Sequence, residues 1–261
     1  MKQASLMYHD VVAGGRWDES GFPGTAAAHY KLDETEFARH LDALQASKLA
    51  FGAVDAAVPP SAAHCMLTFD DGGASAARIG AALTARGMRG HFFITTSRIG
   101  TNGFVAASDL RALRRDGHVI GSHSHTHPAD ISRLGMGELR DEWRRSVECL
   151  GDVLGEPVVV ASIPGGFYST DVVRAAERAG IRCLFTSEPT TRVNHLGDCR
   201  IFGRFALWRD TTAEDALALA RGDTTARARQ WLGWNLKKPV KRWAGPLYRF
   251  ARTHLLGESP V

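Results

Sequence analysis

Short apolar runs alternate with amphipathic stretches along most of this 261-residue chain, and this alternation constrains the fold more than any other feature. Residues 5–8 and 65–69 have the length of buried strands, and residues 34–49 carry Phe37, Leu41 and Leu44 on one helical face. We predict further strands at residues 91–95, 118–121, 158–162, 182–186 and 201–208, and further helices at 74–86, 107–115, 136–154 and 171–179. So many strand–helix repeats in one sheet favour an α/β fold closed into a barrel, with its chemistry at the C-terminal strand ends.

The last 39 residues differ in composition from the rest. No acidic residue occurs between Asp223 and Glu258, whereas Lys, Arg and Trp residues are frequent there. We therefore divide the chain into a domain at 1–222 and a basic, aromatic-rich tail at 223–261. Pro239 and Pro246 predict short amphipathic pieces in the tail instead of one long helix. Two interpretations stay open: the tail binds an anionic membrane, or its aromatic side chains pack on the barrel while its cations face solvent.

Bulk properties exclude several classes of protein. A formal net charge of +4 gives no basis for a nucleic-acid partner, and no apolar run reaches the roughly 18 residues of a membrane span. His9 and Asp10 interrupt the stretch where a signal peptide would be apolar, so we expect a cytoplasmic protein, peripheral at the inner face of the membrane if the tail binds lipid. Four cysteines without CxxC spacing indicate reduced thiols. No feature of the sequence indicates an oligomeric state.

The first motif, Thr68-Phe69-Asp70-Asp71-Gly72-Gly73, ends a predicted strand with two adjacent carboxylates. Adjacent carboxylates repel each other, and a cation bound to one would relieve the repulsion and leave the other free as a base. The alternative is an acidic turn, because Asp-Gly is a common turn pair.

The second motif contains three alternating histidines, His123, His125 and His127, followed by Pro128. Neutral imidazole is a common ligand of zinc and similar ions. One helical turn would place His123 and His127 on one face, whereas an extended segment would pair His123 with His125. A solvated histidine-rich loop is the alternative to a metal site.

The third motif, residues 161–168, follows another predicted strand and contains Gly165 and Gly166. These glycines would let backbone N–H groups approach a substrate oxygen, as an oxyanion hole requires. Taken alone, the motif is better explained as a plain turn.

Together the three motifs resemble the polysaccharide deacetylase family, also called the NodB homology domain or carbohydrate esterase family 4. Residues 68–72 match its TFDDG motif, and residues 123–127 match its H-[ST]-x-x-H motif; the resemblance covers roughly residues 5–208. It implies a distorted (β/α) barrel and a divalent metal, usually zinc. It also implies that Asp71, His123 and His127 are the ligands and Asp70 is the base. His125 falls at a variable position of the motif, outside the ligand set.

The activity that this resemblance implies is metal-dependent removal of N-acetyl groups from a carbohydrate, either a polysaccharide or a glycan precursor. A metal lowers the pKa of water towards neutrality, Asp70 would take the proton of the attacking water, and the metal and the Gly165 N–H would stabilise the oxyanion. Two alternatives stay open: hydrolysis of another C–N bond, such as that of a small cyclic amide, and a non-catalytic relative that only binds glycan.

The chain departs from the family at two motifs. Ser162 occupies the position of the arginine in R-x-P-x-G that normally pairs with the base. Arg204 is a candidate replacement, although a structural salt bridge would equally explain it. The family's late motif supplies a histidine that protonates the leaving amine, and residues 201–208 contain none. His195, in the preceding loop, is a candidate for this acid or a solvated side chain.

The opening segment Tyr8-His9-Asp10-Val11 resembles the Y-H-x-V opening of deacetylases that act on exopolysaccharides. His9 would then line the mouth of the barrel, or it would have a structural role at the end of the first strand.

Overall fold

The computed structural model describes residues 4–54 and 64–243, with side chains up to residue 236. Within these ranges the strands are β1 Ala4–Tyr8, β2 Val11–Val12, β3 Leu32–Asp33, β4 Cys65–Phe69, β5 Gly90–Ile94, β6 Val119–Ser122, β7 Val160–Ser162, β8 Cys183–Phe185, β9 Asn194–Leu196, β10 Cys199–Phe202 and β11 Phe205–Ala206. The helices are α1 Thr25–Ala28, α2 Glu34–Ala46, α3 Ala76–Thr84, α4 Ala107–Arg115, α5 Met136–Leu154, α6 Thr170–Arg178, α7 Ala213–Arg221 and α8 Thr224–Trp243. Most predicted elements are present, and β4, α4 and α5 have the predicted bounds.

The main sheet has nine strands in the order β11-β1-β4-β5-β6-β7-β8-β10-β9, and all but β9 pair in parallel. Strands β10 and β11 lie near opposite ends of this order, yet only Gly203 and Arg204 separate them in the chain. Two intervening residues span at most about 10 Å. The two ends of the sheet must therefore lie side by side, and the sheet curls into an incomplete barrel. The predicted distorted barrel is confirmed.

The single strand predicted at residues 201–208 is wrong, because this segment forms two strands on different neighbours. Strand β10 pairs with β8, whereas β11 pairs with β1. Between the two strands, the Arg204 N–H donates a hydrogen bond to the Glu188 carbonyl (2.8 Å). The chain thus passes from one end of the sheet to the other at Gly203 and Arg204.

The side chains of alternate strand residues fill different parts of the core. On β5, Phe92 packs with residues of the surrounding helices, whereas Phe93 belongs to a cluster with Phe185 and Phe202. The Phe93 and Phe202 rings lie 5.3 and 5.0 Å from the Phe185 ring. These aromatic side chains fill the barrel interior. The polar residues at the strand ends therefore lie above a packed apolar core.

Helix α8 runs from Thr224 to Trp243, so the prediction of short pieces broken at Pro239 is wrong. Proline removes a single helical hydrogen bond, and here that loss falls near the C-terminal end of a helix already docked on the barrel. The Gln230 side chain bonds both the N–H (3.1 Å) and the carbonyl (2.7 Å) of Ala206 on β11. Pro246 lies outside the described residues. Among the described helices, none combines the length and the apolarity that a membrane crossing requires.

Candidate active site

Four parallel strands bring polar residues to one rim of the barrel. Because parallel strands end at the same edge, the residues that follow β1, β4 and β6, together with the last residue of β7, lie close together. They are His9, Asp70, Asp71, His123 and Ser162.

The turn after β4 requires its glycines. Asp71 has φ of +76°, in the left-handed region, and Gly72 follows at +77°. A Cβ atom at Gly73 would collide with the Asp10 carboxylate, which accepts hydrogen bonds from Ser20 (2.6 Å) and Ser75 (2.7 Å). Glycine therefore lets the backbone approach Asp10, and this contact fixes the turn that carries both carboxylates.

The histidine loop is neither the helical turn nor the extended segment considered from the sequence. Ser124 and His127 have φ of +62° and +59°, and this backbone turns His123 and His127 towards each other, with ring centroids 5.0 Å apart. His125 leaves the cluster, since its Nδ1 lies 2.9 Å from the Thr96 hydroxyl.

Helix α5 holds this strained loop through two residues four apart. The Glu142 carboxylate accepts hydrogen bonds from the N–H groups of His125 (3.0 Å) and Thr126 (2.9 Å) and from the Thr126 hydroxyl (2.7 Å). The Ser146 hydroxyl lies 2.6 Å from that of Ser122, at the end of β6. Non-glycine residues in the left-handed region are costly, so these contacts offset the strain of the loop.

Asp71, His123 and His127 form a candidate metal site. Asp71 Oδ1 lies 3.5 Å from Nε2 of each histidine, and one ligand atom from each residue lies within 4.8 Å of the others. Ligands of a tetrahedral zinc ion with bonds of about 2.1 Å are separated by about 3.4 Å. His123 Nδ1 is already engaged by the Ser162 hydroxyl (2.6 Å) and carbonyl (3.1 Å), which directs Nε2 towards the site. The three residues therefore fit a divalent cation.

Electrostatics keep these groups in forms that bind a cation. Burial raises the pKa of Asp71, but a hydrogen bond from His123 and the charges of His9 and His127 outweigh burial and hold that pKa well below its usual value. Burial lowers the pKa of His127. An ionised carboxylate beside a neutral imidazole is suited to zinc or a similar ion.

Asp70 is held by a buried arginine. Arg204 donates from its two terminal nitrogens to Oδ1 (2.6 Å) and Oδ2 (2.8 Å), a two-pronged ion pair, and is itself fully buried. Its Nε donates to the Thr186 carbonyl (3.0 Å), which fixes the guanidinium plane. Burial raises the pKa of Asp70, but the Arg204 charge leads the effects that bring that pKa below its ordinary value. Arg204 therefore lies where a partner for the base is needed.

Ser162 joins the two halves of the cluster. Its hydroxyl lies 3.2 Å from Asp70 Oδ1 and 2.6 Å from His123 Nδ1. The residue that replaces the family arginine thus contacts both the candidate base and a candidate metal ligand. Sequence reasoning noted the substitution and missed this contact.

The structure does not bring His195 to this cluster. It is exposed on β9, the edge strand, opposite Arg200. Arg200 pairs with Cys183, two residues before the end of β8. His195 is therefore separated from β7 by two strands and lies below the rim. Gly165 does lie at the rim, in the single turn of Pro164–Gly166 after β7, with φ of +61°.

His9 lies beside the carboxylates. Tyr8 pairs with Phe69, so His9 lies next to Asp70 across the sheet, and its charge lowers the pKa of both Asp70 and Asp71. Its ring packs on Tyr30 at 4.8 Å. The buried Nδ1 has no hydrogen-bond partner among the described residues. His9 is therefore half-buried at the rim of the barrel, beside both carboxylates.

Known proteins share both the sequence pattern and the fold. Residues 57–184 match the family model described as polysaccharide deacetylase. An uncharacterized 30.6 kDa protein of Geobacillus stearothermophilus is 27% identical over 132 residues, which are 49% of this chain and 48% of that protein. The chain spans about half the length of the curated relatives that it matches.

Two solved structures have the same fold. The Streptococcus pyogenes deacetylase PplD, in complex with acetate, superposes with a TM-score of 0.67 at 15% identity, over 84% of this chain and 98% of PplD. BC0361, a polysaccharide deacetylase from Bacillus cereus, has a TM-score of 0.69 at 18% identity, over 83% of this chain and 69% of that protein. These two structures show the fold, and the family-model match, which contains the motifs described at the rim of the barrel, shows that the chain belongs to the polysaccharide deacetylase family.

Proposed function

We propose that this protein is a divalent-metal-dependent hydrolase that removes N-acetyl groups from a carbohydrate. One observation carries the proposal: the ionised Asp70, paired with Arg204, lies beside the converging side chains of Asp71, His123 and His127. A base next to a cation site is the arrangement that amide hydrolysis by water requires. The family adds that the substrate is an acetylated glycan.

Asp71, His123 and His127 would hold the cation, and zinc suits a set of one carboxylate and two imidazoles. When bound, the cation would supply Lewis acidity, which lowers the pKa of water and polarises the acetyl carbonyl. The remaining chemistry belongs to the chain's own side chains.

Asp70 would accept the proton of the attacking water at Oδ2. Oδ1 is hydrogen-bonded by both Arg204 and Ser162, whereas Oδ2 has only the Arg204 bond among the described residues and lies 4.0 Å from His123 Nε2. Oδ2 thus keeps a lone pair on the side of the metal ligands. The Gly165 N–H would then stabilise the oxyanion of the tetrahedral intermediate.

His9 would donate a proton to the leaving amine. It lies half-buried at the rim beside both carboxylates, whereas His195 lies away from the site. We expect His9→Gln to lower kcat by about 10²-fold, the scale of general acid catalysis, while bound metal stays unchanged. His195→Gln is the matched control and should have the activity of the unmodified protein. An active His9→Gln protein would remove His9 from the mechanism.

Acetate release from a panel of acetylated glycans, polymeric and lipid-linked, tests the function. We expect release that a chelator abolishes and that added zinc restores. Activity on small cyclic amides without acetate release would favour the second hydrolase class. Metal binding and glycan binding without any turnover would identify a non-catalytic relative.

A further inference from the structure

Large apolar side chains are exposed in few places on the described surface. Trp231, Leu232 and Leu236 are 52%, 54% and 64% exposed, and all three lie on α8. Burial in water-free surroundings stabilises such side chains by roughly 25 cal/mol per Å². A cluster of exposed apolar side chains indicates a binding surface, whereas single exposed ones are ordinary.

Helix α8 has two distinct faces. Arg227, Gln230 and Trp234 contact the barrel: Arg227 lies over the Phe205 ring (4.9 Å), and Gln230 bonds to Ala206. Ala228, Trp231, Leu232 and Leu236 are exposed and follow a helical spacing of three or four residues, and we call this side the α8 outer face. The outer face is thus apolar on the side turned away from the barrel.

The charged residues on the outer face, and those that follow it in the sequence up to residue 257, are all basic. Arg229 is exposed beside Leu232 and forms no ion pair with any described residue. The sequence holds no acidic residue from 224 to 257, and it continues after Leu236 with Lys237 and Lys238. An apolar stripe with tryptophan and uncompensated cations has the composition of a helix that lies in a membrane interface.

The outer face belongs to a helix that reaches the rim of the barrel. A Cβ atom at Gly166 would lie 3.0 Å from the Trp234 ring, so α8 passes directly beside the third motif. Tyr168, two residues further on, is also exposed. The helix that carries the outer face therefore packs beside the third motif.

We propose that the α8 outer face binds the surface of an anionic lipid bilayer, with Trp231, Leu232 and Leu236 in the interface and Arg229 on lipid phosphates. Charge complementarity selects this partner, because Arg229 has no ion pair among the described residues and no acidic residue occurs from 224 to 257, a charge pattern that attracts an anionic leaflet. The binding itself does not depend on the proposed deacetylation. If both hold, a membrane-attached glycan would meet the active site at the same surface.

The test is co-sedimentation of the full-length chain with vesicles of phosphatidylcholine, with and without phosphatidylglycerol, at low and high salt. We expect binding only to the anionic vesicles, weakened by salt. Leu232→Ser/Leu236→Ser should weaken it about tenfold or more, and Arg229→Glu about fivefold. Arg111→Glu, an exposed arginine of α4 without an ion pair in the described chain, is the charge-matched control and should bind normally.

A second measurement covers the case in which the double variant does not fold. Brominated lipid in the anionic vesicles should quench tryptophan fluorescence, and Trp231→Phe should remove most of the quenching. A folded full-length protein that leaves anionic vesicles untouched would overturn the proposal. Normal binding by a folded double variant would also overturn it, because residues beyond 236 would then carry the binding. A dimer that the double variant dissociates, without vesicle binding, would show that a second copy covers this face.

Discussion

Asp70 and Asp71 are neighbours in the chain, yet their carboxylates have different partners. Both oxygens of Asp70 are bound by the guanidinium of Arg204, so its charge is balanced within the protein. Asp71 faces two histidines, and burial lowers the pKa of the His127 imidazole. The Asp70 half of the cluster is thus complete within the protein, whereas the Asp71 half has the geometry of a cation site. The predictions below test this division.

The largest effect is expected at the metal half. His123→Ala and His127→Ala should each lose bound metal, and activity should fall by about 10³-fold because several kcal/mol of charge stabilisation disappear. His125→Ala should keep most of the metal, since its ring binds Thr96 outside the cluster. Metal analysis of the purified variants measures this. Equal loss from all three would show that the ligand set is wrong.

A change at Asp70 should lower activity without changing metal binding. Asp70→Asn removes the base but no candidate ligand, so metal content should stay normal while kcat falls by about 10²-fold or more. Steady-state kinetics and metal analysis on the same preparation measure both quantities. A fully active Asp70→Asn protein would refute the assignment of the base.

Arg204 should control the pH at which the base works. Its charge lowers the pKa of Asp70, so Arg204→Met should raise that pKa. The ionised, active form of the base would then be lost at a higher pH, and the acid limb of the pH–rate profile should move upwards. Arg204→Lys keeps a charge without the two-pronged geometry and should fall in between. An unmoved acid limb in Arg204→Met would mean that Arg204 has only a structural role.

The smallest effect is expected outside the cluster, at Glu142. Glutamine there has one acceptor oxygen and presents an NH₂ group to backbone N–H groups of the histidine loop, so Glu142→Gln should weaken metal affinity by about tenfold. Glu148→Gln is the matched control, because Glu148 lies on the same helix, is exposed and pairs only with Arg144 in the described chain. Competition with a chelating dye measures both. Equal affinity in the two variants would show that α5 does not hold the loop.

The sequence predicted those parts of the fold and site that depend on local pattern. The apolar run of β4 ends sharply at Asp70, so both the strand and the position of the carboxylates were readable. The end of β10 could not be found in this way, since residues on both sides of Gly203 and Arg204 are buried alike. Only the choice of neighbouring strand distinguishes the two segments, and strand pairing is a property of distant residues.

The same reasoning explains the contacts that were missed. Ser162 and Glu142 contact residues of the histidine loop that are 39 and 17 positions away, and no local pattern in the sequence predicts either contact. The pairing of Arg204 with Asp70 spans 134 positions; only the missing family arginine pointed to it. Pro239 shows the opposite error, because a strong local rule was applied to a helix that the barrel already supports.

The position of Arg204 between β10 and β11 has a further consequence. The residue that binds the base is also the residue at which the two ends of the curled sheet meet. Removing one partner of a buried ion pair lowers the stability of the fold by about 3–5 kcal/mol. Here the lost interaction lies where the two ends of the sheet meet, so its loss would weaken the closure of the barrel. Folded Asp70 has a lowered pKa, so its stabilising contribution is present above the unfolded pKa and is lost as the pH falls through the folded value. Acid should therefore protonate the proposed base and weaken the closure of the barrel together, because one ion pair holds Asp70 and lies where the two ends of the sheet meet.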